Sequence, residues 1–119
     1  MKIREIIEIL DAKLLTGSDG MEQEIISACG SDLMSDVMAY VKESNIMLLT
    51  GLVNPQVIRT AEMMDIKAVV FVRGKIPGEN IIKLAEQMNI VVLSTKLPMF
   101  TACGRLYSAG ITGRCTYNG

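Results

Sequence analysis

Apolar residues recur along this chain in two rhythms, short unbroken runs and helical stripes, and between residues 46 and 95 the alternation occurs twice. Ile46–Thr50 is a near-continuous apolar run, the pattern of a parallel strand buried on both faces. Gly51 ends it. Asn54-Pro55 reads as an N-cap followed by proline at the first helical position, where a missing N–H costs nothing. Val57, Ile58, Ala61 and Met64 then form the buried stripe of a helix. Ala68–Val72 is a second buried run, ended by Arg73-Gly74; Pro77-Gly78 opens a second helix, and Ile90–Ser94 is a third run.

The two units superpose. Val57 and Ile81, Ile58 and Ile82, Ala61 and Ala85, Met64 and Met88, and Ile66 and Ile90 each lie 24 positions apart. The polar pairs Arg59/Lys83, Glu62/Glu86 and Asp65/Asn89 keep the same offset. A repeated βα unit predicts parallel, adjacent strands joined by right-handed crossovers. The expected fold is therefore α/β, a mainly parallel sheet with βα repeats and helices packed across it.

Before the repeat, Ile3, Ile6, Ile7 and Leu10 mark an amphipathic helix that closes near Asp11. Lys13–Thr16 reads as a short strand and Gly17–Gly20 as a turn. Those glycines lack the Gly-Lys-Ser/Thr that a phosphate loop needs. Glu24–Cys29 reads as a strand, after which Ser31 or Asp32 caps a helix burying Leu33, Met34, Val37, Met38 and Val41. Asp32 and Asp36 are four apart, and read as a cap and a first-turn acid favoured by the helix dipole rather than as catalytic carboxylates. A last helix spans about Pro98–Ala109, with Gly104 expected to pack closely on a neighbouring backbone. Residues 112–119 lack periodicity and read as a flexible C-terminal tail.

Composition narrows the function classes. Half of the 119 residues are hydrophobic and only 4% are aromatic, so the core is aliphatic, with nine methionines filling gaps. Twelve basic against thirteen acidic residues leave a net charge of −1, without the basic excess that nucleic acid demands. No apolar run approaches the ~20 residues of a membrane span, and the first ten residues lack a signal peptide's continuous apolar stretch, so a cytoplasmic location is expected. Cys29, Cys103 and Cys115 are odd in number and widely spaced, suggesting neither a disulfide framework nor a metal site. There is no histidine, which removes the commonest general base and metal ligand. The reading is of a chain that is not an enzyme and has no cofactor. So apolar a small chain is also expected to cover surplus surface as a homodimer.

The frame Val70–Gly74, Pro77, Ile81-Ile82, Leu84-Ala85-Glu86 and Asn89–Thr95 resembles the DRTGG domain, in which a strand ending in glycine leads to a proline-led helix and a strand ending in Ser/Thr. Pro98–Ala102, Ala12–Gly17 and Ser31–Met38 extend the resemblance over residues 1–111, as in small free-standing members. The sequence has no Asp-Arg-Thr-Gly-Gly, of which Thr50-Gly51 keeps a part, and Pro98 stands where members often have Asp. The resemblance implies an accessory domain found beside nucleotide-binding CBS domains in some pyrophosphatases, and a fold similar to the N-terminal domain of HPr kinase/phosphorylase. It brings no catalytic residue.

In an open parallel sheet, ligands sit at the carboxyl ends of the strands. Those ends carry Thr50-Gly51, Arg73-Gly74-Lys75 and Thr95-Lys96, each leading toward a helix N-terminus. Backbone donors, hydroxyls and three cations on one edge suit an anion such as a nucleotide or phosphate. The bland reading is that the glycines make tight turns and the cations are solvated. The reading from another class is a protein-interaction domain without a small ligand, dimerising or docking onto a larger metabolic or signalling system.

Overall fold

The computed structural model describes residues 1–41 and 44–112, with the Tyr40 side chain excepted. Among the described residues, α-helices and β-strands follow one another as α1 (Ile3–Leu10), β1 (Lys13–Thr16), β2 (Ser27–Gly30), α2 (Met34–Tyr40), β3 (Ile46–Thr50), α3 (Pro55–Met63), β4 (Ala68–Phe71), α4 (Glu79–Gln87), β5 (Val91–Ser94) and α5 (Met99–Ser108). The five strands form one sheet in the order β1-β5-β4-β3-β2. β2 through β5 run parallel and β1 closes the far edge antiparallel to β5.

Alternate side chains of the central strands feed two cores. Ile46 and Leu48 of β3, Val69 and Phe71 of β4, and Val92 of β5 pack under α2, α3 and α4. Met47, Leu49, Val70, Leu93 and their neighbours pack under α1 and α5 on the other face. Every residue of β3, β4 and β5 is buried. Full burial of a large aliphatic or aromatic side chain stabilises by about 1.5–3 kcal/mol, so these three strands anchor the fold.

The expected βα repeat is present in atomic detail. Val57, Ala61, Ile81 and Ala85 are all buried. Asn54 caps α3 through its side chain, whose Oδ1 accepts the Val57 N–H at 3.3 Å. Both helices close on the same motif: Ile66 N–H donates to Ala61 O at 2.8 Å and Ile90 N–H to Ala85 O at 2.9 Å. Asp65 and Asn89 hold the left-handed position that this closure needs, each at φ 57°. Helix α1 ends likewise, with Asp11 at φ 49° and Ala12 N–H on Ile7 O at 2.9 Å.

The flanks depart from expectation in five places. The strand expected over Glu24–Cys29 begins only at Ser27, because the chain before it pairs with the N-terminus. Lys2 bridges Glu24, and Ile25 N–H donates to Met1 O at 2.7 Å. Neither Ser31 nor Asp32 caps α2; Leu33 holds that position without a side-chain bond. Leu33 and Met38, expected inside, are exposed. Gly104 does not meet a neighbouring backbone, since a Cβ there would have nothing within 4 Å. Thr112, assigned to the tail, bridges Ser27 and accepts the Ala28 N–H at 3.2 Å. The rest of the expected tail, Cys115 included, lies outside the described residues.

Candidate functional site

Parallel pairing brings the carboxyl ends of β2, β3, β4 and β5 to one edge of the sheet. There the seven sequence-assigned residues divide into two groups. Thr50, Gly51 and Arg73 gather at the β3–β4 end. Gly74, Lys75, Thr95 and Lys96 belong to the loops after β4 and β5.

The second group is largely structural. Arg73 N–H donates to Leu97 O at 2.8 Å and Gly74 N–H to Thr95 O at 2.9 Å, so the two loops are stitched by their backbones. Ser94 Oγ adds a bond to Lys75 O at 2.9 Å. The buried Thr95 hydroxyl donates to Leu10 O at 2.7 Å, which ties the end of α1 to this edge. Lys75 and Lys96 extend into solvent.

The first group converges on a residue that the sequence reading assigned elsewhere. Asp32 Oδ1 accepts the Gly51 N–H at 2.6 Å and the Thr50 hydroxyl at 3.2 Å. The Arg73 guanidinium stands 3.7 Å from Asp32 Oδ2, with both side chains about half exposed (53% and 54%). A Cβ on Gly51 would run into that guanidinium, so glycine here keeps room for the arginine. Arg73 itself sits at φ 59°, beside Gly74 at φ 72°. A non-glycine residue in this region costs on the order of 1 kcal/mol and persists where surrounding bonds fix it. The Leu97 and Thr95 carbonyls supply that fixation.

A hydroxyl, a backbone N–H and a guanidinium thus aim at one point, and a carboxylate holds it. Such a trio is suited to binding an anion. The two described thiols lie elsewhere and are half-buried. Burial pushes both thiols up, with Cys103 and Asp36 acting in the same direction on Cys29, which opposes thiolate formation. Among the described residues, no three His, Cys, Asp or Glu side chains gather where they could hold a metal ion, and no helix is long and apolar enough to cross a membrane.

A recess of about 430 Å³ opens on the opposite edge of the sheet, between the turn after β1 and the end of α4. Its charged lining is Asp19 and Glu86, which would repel an anion. At its wall, a Cβ on Gly17 would come within 2.8 Å of the Val91 backbone, which explains the glycine at φ 96°.

The model of the DRTGG domain matches residues 5–109. The chain belongs to the DRTGG domain family. No curated protein matches the sequence. Among solved structures, the CBS and DRTGG domains of the regulatory region of Clostridium perfringens pyrophosphatase, complexed with the activator diadenosine tetraphosphate, align at a TM-score of 0.67 and 17% identity. The alignment covers 88% of this DRTGG domain and 45% of that chain. At this identity the likeness establishes the shared α/β fold.

Proposed function

We propose that this DRTGG domain is a non-catalytic regulatory module that binds an anionic ligand of the nucleotide class at the carboxyl edge of its sheet. One observation supports the reading: the Thr50 hydroxyl, the Gly51 N–H and the Arg73 guanidinium all face one anionic group, the Asp32 carboxylate. The regulatory part draws on the family and on a structural neighbour that is itself a regulatory region in complex with a nucleotide activator. Arg73 is the principal ligand contact, because a guanidinium holds a phosphate with two parallel hydrogen bonds. Lys75 and Lys96 add positive charge at the rim, and Gly74 and Thr95 keep the loop beneath them in shape. Residues 1–111 form the module, working in the cytoplasm. Titration calorimetry with AMP, ATP and inorganic phosphate tests the reading. Heat of binding for at least one is expected, and none for all three overturns it.

A second reading is a homodimerisation or docking domain, and one surface favours it. Phe100 is 90% exposed beside a recess lined by Ile9, Gly104, Ser108 and Ala109. A second copy related by a two-fold axis would cover Phe100 and fill the space above Gly104. Sedimentation distinguishes the readings, since a monomer of 13.0 kDa at tens of micromolar, an order-of-magnitude test concentration, excludes the dimer.

A further inference from the structure

The geometry points to Asp32 as a resident anion that holds the binding position shut and that a phosphate must displace; this rests on the anion-binding reading above. Its carboxylate takes the Gly51 N–H and the Thr50 hydroxyl and faces Arg73, the same three groups that would receive the ligand. With Asp32 in place, the charges of carboxylate and guanidinium cancel at the site. A phosphate arriving there meets a like charge at hydrogen-bonding range and a backbone donor already engaged.

The occupant is held on a short segment. Ser31 N–H donates to Leu49 O at 3.0 Å, and the Ser31 hydroxyl accepts the Leu33 N–H at 3.0 Å. Beyond these, the bonds from Asp32 to β3 fix the chain between β2 and α2. Leu33, the next residue, is exposed and leads into α2. A ligand that expels Asp32 therefore frees Asp32 and Leu33 from the sheet edge, while Ser31 stays on the Leu49 carbonyl. Binding at β3 is in this way communicated to the start of α2 and to the apolar Leu33 surface. Asp32 sets both the affinity of the site and its output.

Two substitutions separate this role from that of a simple brace. Asp32→Ala vacates the position, and inorganic phosphate should bind the variant roughly 10–100-fold more tightly than the unmodified protein. That range corresponds to one charge-assisted hydrogen bond, at a factor of ten per 1.4 kcal/mol. Adding Arg73→Ala should abolish the gain. Asp32→Asn keeps an amide oxygen for Gly51 and Thr50 while removing the charge, so it stays folded and should still bind phosphate several-fold more tightly. If both variants melt cooperatively yet bind phosphate no better than the unmodified protein, Asp32 is only a brace. If Asp32→Ala does not fold, the Asp32→Asn comparison alone decides. Nucleotide binding by the unmodified protein without any gain in the variants rejects the role of Asp32 and leaves the proposed function standing. Phosphate binding by the variants with no ligand for the unmodified protein does the reverse.

Discussion

The two βα units, Ile46–Ile66 and Ala68–Ile90, are alike along their helices and unlike in the loops that follow their strands. Their helices close on the same bonds, from Ile66 to Ala61 and from Ile90 to Ala85. The glycines in the loops after their strands do opposite things. In the first unit the Gly51 N–H turns to a side chain, Asp32. In the second the Gly74 N–H is fixed on the Thr95 backbone. The repeated part is a folding device, and the loops are where the two units diverge.

The largest effect that sharpens this comparison is in the core. Ile58 is fully buried, whereas its repeat partner Ile82 is only partly so. Ile58→Ala should lower the unfolding free energy by about 2–5 kcal/mol, the range for buried isoleucine truncation. Ile82→Ala should cost less, on the order of 1–2 kcal/mol, in proportion to the smaller area it covers. Urea denaturation of the two variants measures the difference, and equal losses would show that the units share the load evenly.

Next in size is the loop arginine. Arg73→Ala should weaken an anionic ligand by roughly 1.5–3 kcal/mol, the scale of a charged hydrogen bond. Because the Arg73–Asp32 pair is half exposed, its loss should cost only about 0–1 kcal/mol of stability. Calorimetry read beside a melting curve separates the two numbers. A large fall in stability without loss of affinity would make the arginine a strut.

The smallest effect is in the shared caps. Asp65→Gly and Asn89→Gly should each leave stability unchanged or raise it by up to about 1 kcal/mol, since glycine adopts positive φ without a Cβ clash. Asp65 also pairs with Lys67 at 2.7 Å, so its variant should gain slightly less than that of Asn89. Chemical denaturation of both checks the order.

The buried half of this molecule is legible in the sequence because its signals are local. A five-residue apolar run, a glycine, a proline and a helical stripe each report on residues next to them, and the 24-residue offset repeats the message. Thr50, Gly51 and Arg73 are legible as strand ends for the same reason. Asp32 is not. Placed after Gly30-Ser31 and before an amphipathic stretch, it has the local look of a helix cap. Its partners lie 18 and 19 residues away, brought beside it only by the parallel pairing of β2 with β3. An acidic residue just past the end of a neighbouring parallel strand was the available sign. Gly104 fails for a related reason: a glycine in a helix implies room, and the sequence does not say whether a backbone or solvent fills it.

We propose that the Gly51 amide is the donor exchanged between Asp32 and a ligand. The most direct test is a nitrogen–proton NMR titration of the unmodified protein with ATP. The account predicts that the Gly51 cross-peak moves most, with Arg73 side-chain signals following, while the Gly74 amide stays in place on its Thr95 carbonyl. A titration in which ATP binds but Gly51 stays still, or in which Gly74 moves as far, would contradict it.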